Sequence, residues 1–299
     1  MKKFLSLVLA LVMTMSLVTV SAGAKDFTDD SEITYKEAVD VISALGVVDG
    51  YSDGDFRPDD VLTRGAAAKI ICNLILGPTT ASALSAGTAP FKDVPVTNTF
   101  AGYITYCSQQ GIISGYADGT FRPTGTLSGN AFMKMLLGAL GYDAEVEQYT
   151  GANWSINVAK RALNIGLDDD LVGDFNGVKA VTREEACLYA LNTMTADMVE
   201  YDAKTTVSTN GTTVVIAGSK AKEMVNNGNT DGKVFDKDGV MQFAEKYFED
   251  LKLDKTSDDF GRPANKWNVK KEEVGTYTNT PDATFTKKVT KTDVYNAIG

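Results

Sequence analysis

The chain has no histidine in its 299 residues. This removes every mechanism in which an imidazole activates a serine or cysteine, and every metal site built on imidazole. Catalysis here would have to rest on carboxylates. A basic surplus is missing as well: 29 Lys and Arg stand against 39 Asp and Glu, a net charge of −10. A nucleic-acid binder carries a basic face, so nucleic acid is not an expected partner. Cysteine is scarce. Cys72, Cys107 and Cys187 share no C-x-x-C spacing, and all three fall inside predicted helices. An odd count in an exported chain admits a reactive thiol or an intermolecular bridge. The plainer expectation is small buried apolar residues in a fold without staples.

What is present begins with a leader. Lys2 and Lys3 precede an apolar run from Phe4 to Val20, and Ala22-Gly23-Ala24 forms a small-x-small cleavage site. This pattern predicts an export signal over residues 1–24 and a mature start near Lys25. An uncleaved anchor is the alternative, on a run slightly short for one. No second stretch is apolar and long enough to span a membrane, so none is expected after signal cleavage.

The rest is organised around a repeat. Gly50 to Pro58 reads GYSDGDFRP, and Gly115 to Pro123 reads GYADGTFRP, seven matches in nine at an offset of 65 residues. A period of that size marks a copied supersecondary unit. In each copy a helical apolar pattern comes first (Tyr35 to Val48, Phe100 to Ile113). The loop follows, and Thr63 or Ser128 then opens a second helix. Asp53-Gly54 and Asp118-Gly119 are turn pairs, with Gly supplying a positive φ. A third, degenerate unit has a first helix from Trp154 to Leu163. Its loop is rewritten as Leu167 to Gly177, and Val181-Thr182-Arg183-Glu184-Glu185 contains a Thr182/Glu185 capping box. The predicted boundaries are 25–88, 89–145 and 146–200, after which residues 201–299 have no assigned role.

With an F-x-D-V-like start, the G-I-I-x-G-Y-x-D-G-x-F-x-P loop and a Thr-Arg helix opening, the units resemble the S-layer homology (SLH) module over residues 26 to 200. The resemblance implies a mainly α fold, three helix-loop-helix repeats in a pseudo-threefold bundle. A small mixed α/β or partly irregular C-terminal region would follow. It also implies a non-catalytic, secreted surface protein, without cofactor. Such a protein binds a cell-wall polysaccharide, a pyruvylated secondary polymer, through grooves between repeats, and self-assembly in a surface layer is a further implied partnership. The family's binding arginine carries over to Arg64 and Arg183. Its place in the second unit is Gly129, which puts that groove in doubt. The motif glutamate survives only as Glu185, with Ala66 and Ala131 elsewhere. Trp154 matches a frequent groove tryptophan; Tyr51, Tyr116, Asp53 and Asp118 complete the implied glycan-binding set. Against these roles stand plainer ones: core aromatics, solvated charges and connector turns. A guanidinium pairs with a carboxylate in bidentate fashion, and a helix N-terminus is expected to add free N–H groups.

Past Tyr201 the composition shifts to Thr, Asn, Gly, Lys and Asp. Val207 to Gly218 reads as a hairpin around Asn210-Gly211. Val240 to Leu251 reads as one amphipathic helix. Asp236 to Gly239 is a partial calcium-loop pattern. Asp168-Asp169-Asp170 is a cation candidate, though such a run is more often a solvated loop, and Asp259 to Pro263 faintly echoes the repeat loop. A competing reading makes the chain the anchoring part of a truncated cell-wall enzyme such as a glycoside hydrolase.

Overall fold

The structure, a computed structural model, describes residues 24–202, 205–209, 212–216, 220–232, 234–278 and 288–298. Residues 1–23 of the expected leader and the Asn210-Gly211 turn lie outside them. Among the described residues no helix is long and apolar enough to cross a membrane.

Helices come in pairs. The first pair is α1 (Lys36–Ala44) and α2 (Arg64–Leu76), followed by a short α3 (Pro78–Ser82). The second is α4 (Ala101–Gln109) and α5 (Gly129–Ala139), and the third α6 (Trp154–Asn164) and α7 (Arg183–Thr195). Their ends obey local chemistry. Thr63, Ser128 and Thr182 are extended N-caps, and their hydroxyls accept from the Ala66, Ala131 and Glu185 amides at 3.2, 3.4 and 3.3 Å. Glu185 returns the bond to the Thr182 amide at 2.9 Å, which completes the capping box. Each first helix stops at a left-handed glycine: Gly46, Gly111 and Gly166 at φ 71, 71 and 72°. The following amides of Val47, Ile112 and Leu167 reach back to Ile42, Cys107 and Ala162, as a Schellman stop requires.

The second helix of each pair packs on the first helix of the next: α2 on α4, α5 on α6, and α7 back on α1. Just ahead of the second helices, Leu62, Leu127 and Val181 close a ring of backbone bonds. The Leu62 amide donates to Val181 O (2.9 Å), Leu127 to Leu62 O (3.0 Å) and Val181 to Leu127 O (2.9 Å). All three side chains are buried. Edge groups that would otherwise need water are thus satisfied where the pairs meet.

The C-terminal part is mixed, in line with the expectation of an α/β region. Strands β1 (Val199–Glu200) and β4 (Lys222–Glu223) pair antiparallel. So do β2 (Thr205–Thr209) and β3 (Thr212–Ile216), as the hairpin reading required. The expected helix from Val240 to Leu251 is not one helix. It is α8 (Phe243–Tyr247), broken at Phe248 (φ −135, ψ 56) and followed by the antiparallel sheet β5 (Leu251–Ser257), β6 (Pro263–Val269), β7 (Glu272–Thr278). The helix-like apolar spacing runs on past Phe248, but Leu251 belongs to a strand whose partner is Val269. Residues 259–262 lie in the β5–β6 turn, where Phe260 is exposed, unlike the buried Phe56 and Phe121 of the repeat loops. A terminal helix, α9 (Lys291–Ile298), ends the described residues.

A second ring, unsuspected from sequence, joins Met198, Met224 and Met241. Each amide donates to the next methionine's carbonyl at 2.8 Å. The three-stranded sheet sits on α1. Glu37 accepts from Trp267 Nε1 (2.5 Å) and Asn265 Nδ2 (2.9 Å), and Asp40 accepts from Tyr277 Oη (2.7 Å) and Lys36 Nζ (2.6 Å).

Candidate functional site

Two sites are assembled on one plan. Each starts from a short segment ahead of a first helix, Phe27 to Asp29 or Phe91 to Asp93. The Asp29 carboxylate accepts from the amides of Phe56 (2.7 Å) and Arg57 (2.6 Å); Asp93 does the same with Phe121 and Arg122, both at 2.7 Å. Burial works against ionisation of these acids. The two amide bonds outweigh it, and both pKa values fall below the ordinary 3.8. The same bonds hold Arg57 and Arg122 at φ 57 and 60°, a conformation that side-chain-bearing residues seldom adopt. Phe27 packs on Phe56 and Phe91 on Phe121, with ring centroids 5.2 and 5.3 Å apart. Gly50 and Gly115 let these rings in: an added Cβ would lie 2.6 Å from Phe27 and 2.4 Å from Phe91.

Onto each loop the arginine of another pair is laid. Arg64 at the start of α2 donates from Nε to Phe121 O (2.7 Å) and from Nη2 to Ser114 O (3.1 Å). Arg183 at the start of α7 donates to Phe56 O and Asp49 O, both at 2.9 Å. The Arg64 guanidinium lies over Phe121 (4.3 Å) and Tyr116 (5.0 Å), and Arg183 lies over Tyr51 (4.7 Å) and Phe56 (4.8 Å). A second guanidinium covers each tyrosine, Arg122 on Tyr116 (4.2 Å) and Arg57 on Tyr51 (4.1 Å). Tyr51 and Tyr116 remain 40 and 42% exposed. Burial, opposed by Tyr116 and reinforced by Arg122, lowers the Arg64 pKa. A guanidinium has five donors, and the carbonyls take two, so each arginine keeps N–H groups for an anion.

The structure brings Arg64 together with Tyr116, and Arg183 with Tyr51. Asp53 and Asp118 join the same loops but are engaged there. Asp53 accepts from the Asp55 amide (3.2 Å) and from Arg57 Nη2. Asp118 accepts from Thr120 Oγ1 (2.6 Å), the Thr120 amide (2.9 Å) and Arg122 Nη2 (3.0 Å), and its pKa drops to about 2, the Thr120 hydroxyl being the main cause. They hold turn and arginine in place. Trp154 is elsewhere: half-buried at the start of α6, with Lys134 Nζ of α5 5.7 Å from its ring centre. That is the interface without an arginine.

There, an added Cβ on Gly129 would sit 3.2 Å from the Phe175 ring and 3.3 Å from Asn176 O. The loop of the third unit lies tight against this position.

One expectation is corrected. The helix N-termini offer no free amides. Arg64 and Gly65 donate to Gly125 O and Pro123 O at 2.9 and 2.8 Å, and Arg183 and Glu184 donate to Asp60 O and Pro58 O at 2.9 and 3.1 Å. At these helix starts the donors left are those of the arginine side chains.

Residues 26–68 and 90–130 match the S-layer homology domain family. These two stretches are S-layer homology domains. It is 30% identical over 148 residues to a "Surface layer protein" of Brevibacillus choshinensis, covering 49% of this chain and 13% of that one. It is 26% identical over 252 residues to a "Cell surface protein" of Thermoanaerobacter kivui (81% and 32%). It is 34% identical over 101 residues to a "Cellulosome-anchoring protein" of Acetivibrio thermocellus (34% and 22%). The chain thus spans a third or less of each of these relatives. The S-layer homology match covers both loop tyrosines and Arg64, and α6 and α7 lie beyond it.

Sequence reasoning missed four residues of these sites: Arg57, Arg122, Asp29 and Asp93. The signal was there. Both arginines sit in the duplicated nine-residue loop, and both aspartates in the F-x-D segments.

Proposed function

We propose that this S-layer homology protein anchors at the cell surface by binding an anionic cell-wall polysaccharide, without catalysis. Its units, at 25–88, 89–145 and 146–200, are read as three repeats in a pseudo-threefold bundle, and the ring through Leu62, Leu127 and Val181 supports that reading. The observation that carries the function is the duplicated clamp. An exposed tyrosine lies between two guanidiniums, at Arg64–Tyr116–Arg122 and again at Arg183–Tyr51–Arg57. Two cations around an aromatic face suit a sugar that bears a carboxylate, such as a pyruvyl ketal. The guanidiniums pair with the acid while the exposed tyrosine hydroxyl reaches a sugar hydroxyl. A charge-assisted hydrogen bond contributes about 1.5–3 kcal/mol, so one clamp is modest and two on one polymer add avidity. The net charge of −10 repels a polyanion at long range, but screening limits this to about 8 Å at physiological salt. The relatives' names speak of surfaces and anchoring, which supports the location and the non-catalytic role.

The test is co-sedimentation of residues 25–299 with cell-wall sacculi, intact or stripped of secondary polymer by hydrofluoric acid. Pelleting should vanish on stripping and fall at least tenfold in an Arg64→Ala/Arg183→Ala double variant, about one charge-assisted bond lost. Failure to pellet with intact sacculi would end the anchoring reading. Loss on stripping without loss in the variant would end the residue assignment.

A further inference from the structure

Two of the three cysteines meet. Cys72 on α2 and Cys107 on α4 place their Sγ atoms 3.5 Å apart, both fully buried. The helices approach closely because α2 turns a stripe of small residues, Gly65, Ala68 and Cys72, toward α4. An added Cβ on Gly65 would lie 2.6 Å from Phe100, the residue before α4. Each sulfur lies against the other helix's backbone: Cys72 Sγ is 3.5 Å from Tyr103 O, and Cys107 Sγ is 3.6 Å from Ala68 O. The third cysteine, Cys187, is buried on α7.

We propose that Cys72 and Cys107 join as a disulfide when the chain meets an oxidising thiol environment, tying the first helix pair to the second. The oxidant is a disulfide, either of low molecular weight or carried by a thiol–disulfide exchange protein. One cysteine thiolate attacks it, giving a mixed disulfide and releasing one thiol. The second cysteine thiolate then attacks the mixed disulfide at the protein sulfur and releases the other. The two protein thiols lose two protons and two electrons, and the external disulfide gains them as two thiols. The sulfurs are already in contact and need only close to the roughly 2.05 Å of the bond. The thiolate is the attacking form, and the Cys72 contact, followed by burial, pushes the Cys107 thiol far up. Exchange is therefore fastest while α2 and α4 are docking and slow afterwards. The unstapled chain read from the sequence is the reduced state.

The bond lies on the helix that Arg64 begins. It would brace α2 against α4, the helix that leads into the loop whose carbonyls, Ser114 O and Phe121 O, orient that guanidinium.

The test refolds the full chain in a glutathione redox buffer, quenches with acid and alkylates under denaturing conditions, before and after reduction. Intact mass should show one alkylated cysteine before reduction, mapping to Cys187, and three after. Three alkylated cysteines before reduction would overturn the proposal, as would a bond that includes Cys187. A Cys72→Ser variant should show two alkylated cysteines, and its melting temperature should no longer respond to reductant, whereas Cys187→Ser keeps the wild-type response. Equal responses in wild type and Cys72→Ser would also overturn it. If Cys72→Ser does not fold, the wild-type alkylation count decides.

Discussion

Gly115 shows how one atom's absence shapes a site. The Phe91 ring occupies the space its side chain would fill, and Thr120 O lies 2.8 Å from where a Cβ would be. Gly115→Ala should therefore displace the ring that floors the Tyr116 loop. Overpacking of this kind costs about 1–3 kcal/mol, read as a lower urea midpoint at unchanged slope. An unchanged midpoint would show that the loop has slack. Gly129 is a different case: its small size matches the close approach of the Phe175 ring and Asn176 O. At this scale the sequence was half legible. A missing arginine could be seen at 129, but the contact with Phe175 depends on a loop whose rewriting broke the alignment. Asp53 and Asp118 were seen as turn formers and also as ligand groups. Their bonds to Arg57 and Arg122 favour the turn.

Helix ends were the most readable elements, since each is decided within four or five residues. Thr63, Ser128 and Thr182 cap helices as their positions indicated, and Gly46, Gly111 and Gly166 stop them. The Thr182–Glu185 box is reciprocal, and Lys179 Nζ also sits 3.0 Å from Glu185. Thr182→Ala should lower stability by about 1 kcal/mol, as loss of an N-cap does, and calorimetry should show a lower melting temperature. No change would mean that water replaces the hydroxyl. Strands past residue 250 were not legible. Leu251 to Ser257 alternates poorly and is mostly exposed, so neither period stands out, and Phe243, Tyr247, Phe248 and Leu251 imitate a helix face. The methionine ring carries no motif at all, because its three residues share only a backbone geometry.

For the molecule as a whole, acid is the informative stress. The pKa values of Asp29 and Asp93 are depressed, and those of Asp118 and Asp258 fall to about 2. A depressed carboxylate adds stability above its unfolded value, near 3.8, and that stability is lost as pH falls through the folded value. Asp169 and Asp197 are raised, mainly by burial, and act in the opposite sense. The depressed groups outnumber them, so the urea midpoint should decline between pH 4 and about 2, and Asp93→Asn should flatten that decline. A flat profile in the wild type would contradict the assignment. The pairing of helices across units was beyond the sequence for a related reason. Arg183 and its acceptor Phe56 O are 127 residues apart, and only the folded chain shows that the third pair returns to the first. That return also sets an order in time. Chains are synthesised amino end first, and domains generally fold in that order. Here the Gly50–Pro58 loop emerges long before Arg183 does, and the Leu62 amide waits for the Val181 carbonyl that accepts from it. The earliest clamp to be made is therefore the last to be finished, and a chain halted before its seventh helix carries one open cradle beside the finished clamp at Tyr116.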